Sequence, residues 1–371
     1  VMERCFPGRW SWLFIVLCVV TIEMCAWGWR NEMRSEGDGA EYCFMLHNFR
    51  SHFSICGTAG QMREFGDAIR QSGYFPWFKA ESIPEWPLSN GFTRKEDVYF
   101  SNHTGTYVIC ASPIAMVHKW LTGDEFKGMM WFGVVWSSWL FFPGSRVAKL
   151  ALVIAHLFSP VNRYLVWPHA EVFLYAMIWF ALLAFFNRKV KWAAFFGAMV
   201  ASQNQSAVFL PMAIGIWFVI LEARKIITGQ RSQISDWVLM CLAMSPVLAH
   251  PLFYLYKVGC PSIIAKVQCL PDVVPVSVAY FSPERIWSLF FDLDQGMVLA
   301  NGLAVVCVFL LPCRGFLSCR FSTLWLPAVL FVILAACCTI INWNSGCSGL
   351  SRYAVWLYVI VLAYVVMEFD S

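Results

Sequence analysis

Long apolar runs dominate the chain, and its polar residues are gathered between the runs and at their ends. The runs continue for roughly 15–22 residues without period-two alternation, so they predict helices rather than a membrane barrel. The first covers about residues 10–29. It is too long, and lacks the cleavage chemistry, for a simple signal peptide, and it reads as a retained first span. A polar stretch over 30–105 follows and carries much of the charge. Within it, Asp38 to Ser54 predicts an amphipathic helix with Tyr42, Met45, Leu46, Phe49 and Phe53 at helical spacing. Gln61 to Ser72 predicts a second short helix, and both are expected along the membrane surface. Phe75 to Asn90, rich in Pro and Trp, reads as an irregular, lid-like segment. Further apolar segments lie at about 106–121, 129–142, 147–161, 165–186, 192–204, 207–222, 236–256, 296–313, 321–342 and 353–368.

Composition narrows the class. The 371 residues are 59% hydrophobic and only 13% charged, with a mean hydropathy of +0.60. Soluble domains carry about 25% charge, and none of this length hides so much apolar surface. In lipid the backbone must satisfy its own hydrogen bonds, which again leaves helices or a closed barrel. Aromatic residues at 17%, with 19 Trp, suit two interfacial belts. The expected fold is therefore all-α and integral to the membrane. Residues 1–371 form one transmembrane domain of about ten or eleven hydrophobic helices or half-helices, with 30–105 as a large first extracytoplasmic loop.

Basic residues set the orientation. Arg4 and Arg9, then Arg188, Lys189 and Lys191, then Arg224, Lys225 and Arg231, then Arg314 and Arg320, mark four cytoplasmic stretches. Residues 30–105, 257–292 and 343–352 then face outward. Counting every apolar segment as a full span places Arg188 on the wrong side. One segment between 106 and 161 must be re-entrant, or two must form one broken helix. The formal charge of +4 argues neither for nor against an anionic partner, and no nucleic-acid partner is expected. Fifteen Cys show no CxxC pair and no Cys/His cluster, so those within apolar runs read as small hydrophobes. Cys260 and Cys269 flank a short polar stretch and could pair in an oxidising compartment.

Polar residues collect at the outward ends of the predicted helices. They are Glu36, Asp38 and Glu41 after the first span, Asn102-His103-Thr104 at the mouth of the second segment, and His169 with Glu171. Gln203, Asn204 and Gln205 follow, then Asp292, Asp294 and Gln295, and finally Arg352 and Tyr353. Carboxylates at a bilayer edge are functional-site candidates. Together they would form a polar cavity suited to a lipid-borne phosphate and a polar acceptor. An Arg grips phosphate through its fork, and an Asp or Glu takes a hydroxyl proton as general base. Each also has a plainer role: Asp38 between two glycines suits a turn and helix N-cap. Glu36 and Glu41 suit solvated loop positions, His169, Asp292 and Asp294 suit helix caps, and Arg352 suits a headgroup contact.

The layout resembles the membrane glycosyltransferases of the GT-C fold, whose bacterial members use polyprenyl-phosphate sugars. The resemblance rests on Glu36-Gly37-Asp38-Gly39-Ala40-Glu41-Tyr42, on Ser101 to Tyr107 leading to Ala111-Ser112-Pro113, and on Pro168 to Phe173. It continues through Phe291 to Gly296 and Gly349 to Tyr353, in order along almost the whole chain. It implies inverting transfer of a sugar from a lipid-linked donor to a glycan, lipid or protein acceptor at the outer face of the cytoplasmic (inner) membrane. It implies Asp38 as catalytic base, with Glu36 and Glu41 as lesser candidates. His103, Tyr107, His169, Glu171, Gln203, Asp292, Asp294, Gln295, Arg352 and Tyr353 would bind substrate. Some relatives place a divalent metal, Mg or Mn, near the donor phosphate, and no clear ligand set for one stands out in this sequence. The Trp/Pro-rich segment, and the short chain after the last apolar run, depart from the pattern. The rival expectations are a transporter of a lipid-linked sugar, which predicts midplane polar residues and inverted repeats, and a non-catalytic membrane scaffold, which predicts no convergence on Asp38.

Overall fold

The structure is a computed structural model. It describes residues 38–83, 91–101, 103–129, 145–157, 159, 161, 164–261, 277–293, 296–298, 302, 304–310, 321–339 and 352–370. It is mostly helical, with one small sheet. The predicted first span, Glu36, Asp294, Gln295 and Cys269 lie outside the described residues.

The polar stretch folds into a small α+β layer. Helix α1 (Gly39–His52) is followed by β1 (Gly57–Thr58) and α2 (Ala59–Ser72). Strands β2 (Phe92–Lys95) and β3 (Val98–Ser101) complete an antiparallel sheet in the order β1-β3-β2, with Gly57 opposite Tyr99 and Phe92 opposite Ser101. The sheet is an addition to the all-α expectation. A capping box starts α2: Thr58 Oγ1 accepts from Gln61 N, and Gln61 Oε1 accepts from Thr58 N at 2.8 Å. Gly73, with φ +75, ends it.

The apolar faces of the two helices, expected along a membrane surface, pack largely within the protein. Residues 39–46 and Asn48 of α1 are buried in protein, Glu41 included. Its pattern reads as one apolar face, but α2, the sheet and α3 (Thr106–Thr122) pack around it on several sides. Helix α2 is amphipathic, and its apolar face (Met62, Phe65, Ile69) turns inward, with Phe65 against Phe44 and Phe78. Most of the apolar surface expected to meet lipid is thus covered by protein, although Phe53, just past the end of α1, stays exposed. At the far end of α1, Glu125 accepts from Arg50 Nη2 at 2.6 Å and Lys119 Nζ at 2.9 Å, tying α1 to the end of α3.

The remaining described helices are α4 (Arg146–Leu157), α5 (Ala170–Phe186), α6 (Val190–Gln203), α7 (Phe209–Ile227), α8 (Ile234–Met244), α9 (Pro246–Val258), α10 (Pro283–Phe291), α11 (Phe321–Cys338) and α12 (Arg352–Asp370). Helix α5 is apolar on all sides and almost wholly buried, as such a helix must be. It packs on α6 and α12, and α12 is buried from Ala354 to Tyr364.

Among the described residues, one continuous helical stretch, Gln205–Ile227, is long and apolar enough to cross a membrane. The segment expected as a single span at 236–256 is instead the pair α8 and α9, bent by 51°. Ser245 and Pro246 stand at the break, where proline has no N–H to continue the helical ladder. Ile216, Val219, Leu239, Leu242, Leu252 and Leu255 leave large apolar side chains exposed on α7, α8 and α9.

Close approach at Gly39 joins the small layer to the helical core. A Cβ there would lie 2.9 Å from Trp167 Nε1 and 3.0 Å from the buried Phe75 ring. Gly39→Val should cost about 1–3 kcal/mol by overpacking, read as a lower unfolding temperature in detergent. An unchanged temperature would mean that Trp167 and Phe75 give way freely.

Candidate active site

Three helix N-termini and one strand end deliver the polar residues to one place. Asp38 is the N-cap of α1, His169 is the N-cap of α5 with Glu171 in its first turn, and Arg352 opens α12. Strand β3 ends at Ser101, just before His103. Helix N-termini carry partial positive charge from unpaired N–H groups, which favours the carboxylates of Asp38 and Glu171 at the first two.

Asp38 is the hub. Its Oδ2 accepts from Arg352 Nη1 at 2.5 Å, lies 3.2 Å from His169 Nε2 and 3.5 Å from His103 Nε2. Although Asp38 occupies an N-cap, its side chain makes no capping hydrogen bond. The carboxylate serves these distant residues instead. Glu171 lies against His169 Nδ1 and 3.9 Å from Arg352 Nε. An ionised carboxylate only accepts, so Nδ1 donates and His169 is oriented with Nε2 toward Asp38. Arg352 Nη1 also stands 3.0 Å from His169 Nε2.

A second carboxylate, Glu41, is 2% exposed. It accepts from Ser101 Oγ at 2.6 Å and lies 3.0 Å from His103 Nδ1. Gly91 holds φ +90 beside it, and a Cβ there would come 2.7 Å from Glu41 Oε1. Only glycine suits both that backbone and that space.

The charges fix the protonation states. Burial alone would raise the Asp38 carboxyl. The charge of His103, the hydrogen bond with His169 and the charge of Arg352 outweigh burial and hold it well below its ordinary value. Burial alone would lower His103, but Glu41 and Asp38 raise it to about 9. A folded value of about 9 above the ordinary 6.5 makes the stabilisation complete below pH 6.5. It is lost as pH rises through about 9. The unfolding temperature should therefore fall across that window, and His103→Gln should flatten the fall. An equal fall in the variant would assign it to another group.

Tyr107 and Gln203 border the group. The Tyr107 N–H donates to Gln203 Oε1 at 2.8 Å, and the Tyr107 ring packs edge-on to Tyr42. The Tyr42 ring in turn touches His103 and His169. Tyr353 adjoins Arg352 and packs against Trp356. Asp292 ends α10 and accepts from Ser288 Oγ at 3.0 Å in the last turn of its own helix.

Four neighbours escape a reading of charged residues alone. Ser101 holds Glu41, Tyr42 packs between the histidines, and Trp167 covers His169 with ring centroids 4.4 Å apart. Ser101 and Tyr42 sit inside the quoted motifs and Trp167 directly precedes one, beside the charged residues, and that adjacency is the signal. Tyr254 of α9 donates to His103 O at 3.1 Å and shows no such local signal.

One ligand atom from each of Asp38, Glu41 and His103 falls within 4.8 Å of the others. Two carboxylates and an imidazole are donors that a divalent ion accepts, with Mn tolerating nitrogen better than Mg. The same side chains also satisfy one another, Asp38 and Glu41 being balanced by Arg352 and His103. Chemically, the group pairs a carboxylate with an arginine and oriented imidazoles, the parts needed to move a proton and hold an oxyanion. Compared with protein-family models, with curated proteins and with solved structures, the chain matches none.

Proposed function

We propose that this chain is a multi-pass membrane glycosyltransferase. It moves a sugar from a polyprenyl-phosphate donor to a hydroxyl of a glycan, lipid or protein acceptor at the outer face of the cytoplasmic membrane. The observation that carries the reading is the meeting of Asp38, Arg352, His169 and His103 at one carboxylate oxygen. Exposed apolar faces on α7, α8 and α9 support the membrane setting, because soluble monomers rarely leave such contiguous patches. The site sits at one end of α5, and at ~1.5 Å per residue its 17 residues reach most of the way across a hydrocarbon core.

In this reading the acceptor oxygen attacks the anomeric carbon, the bond from that carbon to the phosphate oxygen breaks, and the configuration inverts. The acceptor proton passes to Asp38. As it stands, Asp38 is a weak base because the charge of His103, the hydrogen bond with His169 and the charge of Arg352 together hold it ionised. A donor phosphate that draws Arg352 into a bidentate grip removes that partner, raises the carboxylate's proton affinity and couples donor binding to base strength. The His103 imidazolium adds positive charge for the departing phosphate. A Mg or Mn ion held by Asp38, Glu41 and a neutral His103 would supply the positive charge for the phosphate in place of the imidazolium. No step above depends on it.

The test is transfer of radiolabelled sugar from a panel of polyprenyl-phosphate donors into membrane acceptors. Membranes containing the chain should incorporate label above membranes without it. No incorporation from any donor, together with movement of intact donor across vesicles, would replace the transferase reading with a transporter.

A further inference from the structure

At the end of α5 opposite the Asp38 group, the turn into α6 and the last turn of α7 border an open cavity of about 860 Å³. Arg188, Lys189, Lys191, Arg224 and Lys225 line it, against only two carboxylates, Glu222 and Asp236. Both carboxylates are engaged. Glu222 accepts from Lys225 Nζ at 2.6 Å and Ser232 Oγ at 2.7 Å, while Asp236 accepts from Lys191 Nζ. Trp237 Nε1 donates to Ser232 Oγ at 2.9 Å. These bonds tie α6, α7 and α8 around the cavity and neutralise two of its cations.

Three cations are left over. Arg188, Lys189 and Arg224 are exposed and have no anionic partner among the described residues. Arg188 holds φ +60, a left-handed conformation that non-glycine residues rarely adopt. Apolar surface adjoins the charge: Trp192 is 59% exposed, and Ile226 and Ile227 stand exposed at the end of α7.

Two guanidinium forks and an ammonium in one cavity match a phosphate better than a single carboxylate. The adjoining apolar side chains call for a phosphate that carries a hydrocarbon tail. We infer that this cavity binds the headgroup phosphate of an anionic phospholipid, in the leaflet opposite the Asp38 group. The inference rests on the membrane setting proposed above and is independent of the transferase chemistry. Basic pockets between membrane helices hold such headgroups by charge and hydrogen bonding.

The test uses the purified chain in micelles of zwitterionic detergent, with radiolabelled phosphatidylglycerol and phosphatidylcholine as probes. Phosphatidylglycerol should be retained at least about tenfold more tightly than phosphatidylcholine. The Arg188→Gln/Lys189→Gln/Arg224→Gln variant should lose that preference. Because the triple variant could misfold, the wild type is also titrated with salt, and its preference should weaken as salt rises. Equal retention of both lipids by the wild type, or an undiminished preference in a folded triple variant, overturns the inference. Displacement of phosphatidylglycerol by inorganic phosphate at comparable concentration would overturn the lipid assignment and identify a free phosphate as the ligand. Extraction of the chain from membranes by alkaline carbonate would instead remove the membrane setting itself, and that result reads separately from lipid preference.

Discussion

Asp38→Asn is expected to reduce sugar transfer by about 10²–10⁴-fold, the usual worth of a positioned general base, with little change in fold. Asn keeps the shape of the side chain and one oxygen to accept from Arg352. It loses the negative charge that three cationic partners surround, and it cannot take a proton. Transfer is measured over a range of donor concentrations to separate the two roles. If Asp38 is the base, kcat falls while donor KM stays near the wild-type value, because the phosphate grip belongs to Arg352. A fall confined to KM would make Asp38 a positioning residue, and Glu41, which contacts His103 from its other side, would become the base to test. Unchanged transfer would remove Asp38 from the chemistry altogether.

Arg352→Leu is expected to have the largest effect on both stability and activity. Arg352 contacts Asp38, His169 and Glu171 together. Its loss leaves two carboxylates at helix ends without their guanidinium. Breaking a buried pair from one side typically costs about 3–5 kcal/mol; with Asp38 28% exposed, the lower end is expected. The Asp38 carboxyl should then rise, because burial opposes its charge, while the charge of His103 and the hydrogen bond with His169 still hold it down. Arg352→Lys keeps the charge but not the planar fork, so it should recover much of the unfolding temperature and little of the transfer. Equal transfer by the Lys variant and the wild type would show that a point charge suffices and that no bidentate phosphate grip operates. The Lys variant also guards against a trivial result, since a misfolded Leu variant is inactive for any reason.

The sequence leaves visible traces of some parts of this arrangement and hides others. Runs such as Ala170–Phe186 announce helices through composition alone, because an uninterrupted apolar run must bury its backbone as well as its side chains. The capping box at Thr58 and Gln61 is a local device and is read locally. The bend between α8 and α9 has a local sign in Pro246, although a hydropathy profile runs straight through it. The three-stranded sheet has weak signals, since β1 is only two residues long and exists through pairing with β3. Helix α1 shows the limit of periodicity. Its apolar positions mark one face, but Glu41, which suits a solvated position, and Asn48 are enclosed by elements contributed from elsewhere.

By itself, the sequence determines a predominantly helical chain, the ends of many of its helices, and the set of charged residues gathered at those ends. These follow from short-range chemistry: backbone hydrogen bonding within a helix, proline breaks, and the cost of charge inside an apolar run. Only the tertiary structure decides which helix ends meet. Arg352 and Asp38 are 314 positions apart, and His169 and Asp38 are 131 apart. Nothing local to either partner encodes that contact; it follows from the packing of α12 and α5 against each other and from the close approach at Gly39. The same packing turns Glu41 from a loop charge into a buried carboxylate and brings the two basic turns around one cavity at the other end of the bundle.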